Sequence, residues 1–283
     1  MGDETNNSLV SLGNLSKPAD TLIKKVSGAV GGIFGPYQVV RMAKAEAEAG
    51  MIKAQAEIQI TELHRRAMHR FVEEEAQRQK NIEEVTSQAI PHLGHDTDAE
   101  KMENDWITNF FDKARIVSDA DMQDLWARVL AGEANGPGSF SKRTVNLLGD
   151  LDKSDAEAFA RLCGFIWIIG DRVPLVFDCT AEIYNANGIN FNILSHLETI
   201  GLVRFNSITG FVRHGLPKVF GLGYSGNVYP FEMSEENNNS LSIGQVLFTK
   251  AGQQLAAICA ASPIEGFLDY ARGKLDQSAK KKK

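Results

Sequence analysis

Few residues of this 283-residue chain have the type and spacing that chemistry needs. His64 and His69 lie five residues apart in a helix-forming stretch. Five residues turn a helix through about 500°, off the three- or four-residue spacing by which one helix face offers two metal ligands. His92 and His95 flank Gly94 with Asp96 beside them, but no second ligand cluster follows, so a solvated turn is expected there. Cys163, Cys179 and Cys259 have neither ligand spacing nor a histidine close in sequence. An odd, scattered set suits a reducing compartment and small buried hydrophobes. There is no GxSxG nucleophile elbow. The stretch GEANGPGSFSKRT (132–144) places Lys142 and Arg143 at a helix start, a candidate anion or nucleic-acid contact. It lacks Walker A spacing and follows no strand, so a structural loop is the plainer reading. The sequence therefore predicts no catalytic residue, no metal and no cofactor. An enzyme would have to be assembled from residues remote in sequence.

The elements behind these residues are mainly helical. Residues 1–17 are polar and read as a disordered tail, and residues 18–93 as a glycine-broken amphipathic segment followed by a long helix. In the first part Leu22, Ile23, Val26, Val30, Ile33 and Phe34 recur at threes and fours, interrupted by Gly28, Gly31, Gly32 and Gly35 before Pro36. From Gln38 to about Ile90 the pattern is unbroken helix. Met42, Ala45, Ala49, Ile52, Ala56, Ile60, Leu63, Ala67 and Phe71 form a narrow alanine-rich stripe, resumed by Ile82, Val85 and Ala89. Such a stripe suits a coiled-coil or helical-hairpin seam, and an oligomer contact along it is expected. Pro91 and Gly94 end it.

Residues 94–170 read as a helical domain. Trp106, Ile107, Phe110 and Phe111 form an aromatic face, and Ser118 is the expected N-cap of a helix running to Gly132. Lys142–Leu148 and Asp155–Cys163 are further helices, the latter capped by Ser154.

Residues 171–272 change texture. The runs PLVFD (174–178), LVRF (202–205), FVRH (211–214), VFGL (219–222), VYPFEM (228–233) and IGQVLF (243–248) read as strands, joining FIWII (165–169) just upstream. Helices are expected at 191–200, at 251–260 after Thr249, and from Pro263 to Tyr270; residues 273–283 read as a basic tail. The fold class is thus mainly α, with a long N-terminal helix and a C-terminal α+β region similar to a winged helix. As a DNA reader that region is thin: the helix FNILSHLETI has no Lys or Arg, and the wing offers Arg204, Arg213 and Lys218. The formal net charge of −6 also argues against a broad basic nucleic-acid surface.

No run approaches the roughly 20 apolar residues that span a bilayer, and the N-terminus is too acidic and polar for a secretory signal. A cytoplasmic location is expected, with peripheral contact to the inner membrane open through Ile23, Lys24, Lys25, Val26, Ile33, Phe34 and Tyr37. Packing of that segment on protein is the competing reading.

The blocks GAVGGIFGPYQVVRMAKAEAEA, QRQKNIEEV, VSDADMQDLWARVLAGEANGPGSFSKRTVNLLGDLD and IGLVRF together resemble a bacterial family related to the abortive-infection alpha proteins found near phage-defence genes. The resemblance covers most of residues 20–260. It implies anti-phage defence and transfers no catalytic residue. The expectation is a non-enzymatic protein that self-associates through its long helix and acts on a membrane surface or on a phage or host protein. The alternative is a winged-helix sensor or regulator that binds DNA or a phage component.

Overall fold

The computed structural model describes residues 15–31, 62–259 and 261–280. The chain divides into two compact units, Met1–Gly149 and Asp150–Lys283, the first helix-rich and the second carrying all the strands described. The helices of 94–149 thus share a unit with the elements before them, and a boundary expected near 170 falls at Gly149.

In the first unit α1 spans Lys17–Val30. The Ser16 side chain accepts the Ala19 N–H, Pro18 sits in the first turn, and Gly31 closes the helix at φ +88°. Its face of Ala19, Leu22, Ile23 and Val26 is buried against α3 (Asn104–Ala114) and the short 3-10 turn Ala99–Lys101. Helix α2 is described over Glu62–Ala89. The part of the long-helix seam before residue 62 lies outside the described residues. In its last turns Ile82, Val85 and Ala89 are buried, and α2 packs along α4 (Ala120–Asn135). Helix α4 starts one residue later than the sequence suggests. Asp119 is the N-cap, accepting from Asp121 and Met122, while Ser118 turns to Asn81 of α2. Trp106, Phe110, Phe111 and Trp126 form the core, with ring centroids about 5 Å apart. Burying a ring such as Phe110 stabilises by about 2–3 kcal/mol. Helix α5 (Lys142–Gly149) packs on α3 and closes the unit.

The second unit opens with α6 (Lys153–Cys163), whose N-cap is Asp152 rather than the expected Ser154. The Asp155 carboxylate takes the Asp152 N–H at 3.1 Å. A hairpin follows, β1 (Ile166–Ile169) and β2 (Asp171–Pro174), then the short helices α7 (Glu182–Asn185) and α8 (Phe191–Thr199). Strands β3 (Val203–Phe205), β4 (Phe211–Leu216), β5 (Val219–Tyr224), β6 (Asn227–Glu232), β7 (Asn239–Gly244) and β8 (Val246–Phe248) complete three antiparallel sheets, ordered β2-β1-β5-β6, β3-β8 and β4-β7. Of the expected strand 174–178 only Pro174 is in a ladder; Val176 instead accepts the Gln245 N–H at 2.6 Å. That contact interrupts the expected strand 243–248. Gly244, at φ +90°, marks the break, because a Cβ there would lie 2.5 Å from the Val176 carbonyl oxygen. Helix α9 spans Lys250–Ala256 with Thr249 as N-cap. The last helix, α10, starts at Phe267 and runs to Lys280, so residues 273–280, expected to belong to a basic tail, are helical instead; Leu275 is buried and the Ser278 hydroxyl accepts the Ser242 N–H of β7 at 3.1 Å.

Candidate interaction surface

The described residues contain no group of three or more His, Cys, Asp or Glu side chains placed to hold a metal ion. His64 and His69 are both exposed on α2, and His92 faces Asp124 across 3.7 Å. A histidine-carboxylate pair forms between residues remote in sequence: His196 Nε2 lies 2.7 Å from Asp155 Oδ1. The other oxygen of Asp155 caps α6, so this pair ties α8 to the start of α6.

The loop at 132–144 is filled from within. The Glu133 side chain is 3% exposed, and its two oxygens accept the N–H groups of Gly138 (2.7 Å) and Phe140 (2.8 Å). Trp106 Nε1 then donates to the Phe140 carbonyl at 2.7 Å. The Gly138 and Phe140 amides of the loop thus hold a carboxylate of the chain itself. Lys142 and Arg143 both stay on the surface, Lys142 about 4.0 Å from Asp105. Burial pushes the Glu133 carboxyl above its usual range, against the opposing pull of the two backbone donors.

The wing cations are similarly engaged. Arg213 pairs with Asp171 at 3.5 Å and Lys218 with Glu236 at 2.7 Å, whereas Arg204 is exposed on β3. Of the residues expected to touch a membrane, Ile23 and Val26 are buried in the first unit, 3% and 0% exposed. That face of α1 forms part of the first unit's core. Lys24 pairs with Asp20 at 2.7 Å and Lys25 is half-buried. Ile33, Phe34 and Tyr37 lie outside the described residues, as do Met42, Ala45, Ala49, Ile52, Ala56 and Ile60 of the seam.

The remaining seam residues point to the surface that stands out. Leu63 (66%), Phe71 (63%) and Ala67 are exposed, and so are Met68 (56%) and Val72 (60%), which the narrow stripe had missed. The signal lies in the run AMHRFV, where Met68 and Phe71 are three residues apart and Met68 and Val72 four. Scattered exposed apolar residues are ordinary, but Met68, Phe71 and Val72 fall within about 100° of one helix face and form a patch, with Leu63 on the side away from Val72. At its foot a cleft of about 260 Å³ is lined by Val30, Glu75, Arg78, Ile82, Phe111 and Arg115 among others. Charge along this part of α2 is segregated: His64, Arg65, Arg66, His69 and Arg70 precede Glu73, Glu74 and Glu75. Ion pairs along the helix, Arg65–Glu62 (3.0 Å) and Arg70–Glu74 (3.3 Å), support it without partners.

Residues 65–271 match the family described as "Protein of unknown function (DUF2806)", most of the chain's length. The chain belongs to the DUF2806 family. No curated protein and no solved structure matches it. The DUF2806 match takes in Met68, Phe71 and Val72 on α2 together with the Glu133 loop and every described strand. No helix of this DUF2806 protein, among the described residues, is long and apolar enough to cross a membrane.

Proposed function

We propose that this DUF2806 protein is a non-enzymatic assembly protein that self-associates through α2, and that its setting is anti-phage defence of the abortive-infection type. The observation that carries the proposal is the apolar face Met68–Phe71–Val72, exposed among the described residues. Burying three such side chains would contribute roughly 5–9 kcal/mol before the cost of association. A second copy fits the segregated charge of the helix. Two α2 helices laid antiparallel set the basic 64–70 block against the acidic 73–75 block, whereas a parallel pair sets like against like. The defence setting rests on the sequence resemblance alone. Burial of Ile23 and Val26 in the first unit's own core weighs against a membrane surface as the target of α1.

Sedimentation velocity of the full chain across a concentration series tests the assembly, and phage plating on cells with and without the gene tests the setting. A monomer at every concentration would sink the first, and equal plating the second. Flotation with anionic vesicles checks the membrane route.

A second reading takes residues 171–256 as a winged-helix-like region. Supporting it are the order α7, α8, β3, a long hairpin excursion, β8 and α9, together with the Val176–Gln245 backbone contact beside the β3–β8 pair. With Arg213 and Lys218 already paired to carboxylates, such a region would contact protein rather than duplex DNA. Salt-sensitive duplex binding that disappears in Arg204→Ala and Arg213→Ala would reverse that preference.

A further inference from the structure

In the second unit a cavity of about 360 Å³ opens between the end of α6, the β5–β6 turn and the linker that follows α9. Cys163 and Cys259 both line it, and so does Arg172. The two thiols share this cavity, near enough for Cys259 to push the Cys163 thiol up, although roughly a hundred residues separate them in sequence. Their approach does not depend on the thiols alone. The linker is pinned to the end of α6 by Tyr224, whose hydroxyl accepts the Ile264 N–H at 3.1 Å and sits 3.5 Å from the Gly164 carbonyl. Gly164 lies so close to the linker that a Cβ there would be 3.0 Å from Ile264 and 3.2 Å from the Ser262 carbonyl.

We propose that Cys163 and Cys259 form a reactive dithiol, which a hydroperoxide entering this cavity oxidises to an intramolecular disulfide. The two sulfurs are unequal. Cys163 is buried and Cys259 partly exposed. The neighbouring Cys259 sulfur, and after it burial, push the Cys163 thiol well above its ordinary range and favour its protonated form, while Arg172 offsets part of that effect. Cys259 is therefore the attacking group, with the Cys163 S–H able to donate to its thiolate. The Cys259 thiolate attacks one peroxide oxygen, so an S–O bond forms, the O–O bond breaks and the departing hydroxide takes up a proton as water. The Cys163 sulfur then attacks the Cys259 sulfenic acid. The S–S bond forms, the S–O bond breaks, and the second hydroxide leaves as water with the Cys163 proton. In sum two thiols and one hydroperoxide give one disulfide and two waters, or one water and an alcohol for an alkyl hydroperoxide. Cys179 is buried and does not line the cavity, so it is the internal control.

The test treats the reduced full chain with hydrogen peroxide and reads intact mass, free-thiol count and a non-reduced peptide map. The expected result is loss of two hydrogens in mass, a fall from three free thiols to one, and a Cys163–Cys259 crosslinked peptide that dithiothreitol reverses. In Cys163→Ser, Cys259 should accumulate a sulfenic acid trapped by dimedone, whereas Cys259→Ser should leave Cys163 unmodified. Cys179→Ser should behave as the parent chain, and thermal melts show that each variant is folded. Three unreacted thiols, a disulfide through Cys179, crosslinks only between chains, or over-oxidation of Cys259 with Cys163 intact would each overturn the proposal.

Discussion

Glu133 accepts the backbone N–H of Phe140 at 2.8 Å, and through it governs the most distinctive loop of the sequence. Its other oxygen takes Gly138, so the turn NGPGS is wrapped around a buried carboxylate. Glu133→Gln keeps one acceptor oxygen and leaves one of the two N–H groups unpaired, an expected loss of about 1–3 kcal/mol in urea unfolding. Glu133→Ala removes both and should cost more. The pH dependence has a definite sign. The folded carboxyl holds its proton more tightly than the unfolded one, because of burial. The stability this group contributes is present below its unfolded pKa and is lost as pH rises through the raised folded value. The Gln variant does not titrate there, so the stability gap between parent and Gln variant should narrow as pH rises through that window, read from urea unfolding at a series of pH values.

Gly252 lies in the first turn of α9, where a Cβ would stand 2.1 Å from the Leu202 carbonyl oxygen. The neighbour is backbone and cannot swing aside. Gly252→Ala should destabilise the second unit by about 2–4 kcal/mol through overpacking, read as a lower midpoint of chemical unfolding with an unchanged slope. Gly273→Ala on α10, where nothing lies within 4 Å, is the matched control and should be neutral or slightly stabilising.

Local periodicity made most of the helices legible. The aromatic face of Trp106, Phe110 and Phe111 and the stripe Ile82–Val85–Ala89 are buried as their spacing predicts. Boundaries slipped where side chains chose partners remote in sequence. Ser118 is a good cap by composition, yet it turns to Asn81, and Asp119 takes the cap. The run 243–248 reads as one strand because nothing in it announces that the Val176 carbonyl interrupts it at Gln245. The loop at 132–144 looked open to an anion because the spacing of its cations was visible and the carboxylate filling it was not. Cys163 and Cys259 sat on apolar helix patterns with no short spacing between them, so only the fold could bring them together.

Asn81 is 1% exposed and is a polar joint between α2 and the turn before α4. Its Nδ2 donates to the Arg115 carbonyl at 2.9 Å and its Oδ1 receives Gln123 at 3.4 Å. Asn81→Ala leaves the Arg115 carbonyl without this donor and should cost about 1–3 kcal/mol. Asn81→Asp keeps the shape but buries a charge and removes the donor, so the larger loss is expected there, measured by thermal unfolding at neutral pH. Equal effects for the two variants would mean that the lost Nδ2 donor, common to both, sets the cost and that the added charge contributes nothing.

Phe71, 63% exposed, is the midpoint of the stretch Glu62–Lys80 that precedes the first buried residue of α2, Asn81. If a second copy covers this face, Phe71→Asp places a charge at the centre of the contact and should weaken self-association at least about tenfold, the effect of burying one poorly paired polar group. Thermal stability of the monomer should hardly move, because the side chain is already in water. The charge arrangement gives an independent reading of polarity. In an antiparallel pair Ala67 of one copy approaches Glu75 of the other, four residues either side of Phe71. A mixture of Ala67→Cys and Glu75→Cys chains should then crosslink to each other more readily than either does to itself. Preferential self-crosslinking of Ala67→Cys would instead mean a parallel pair, with like charges facing like and binding that strengthens as salt is added.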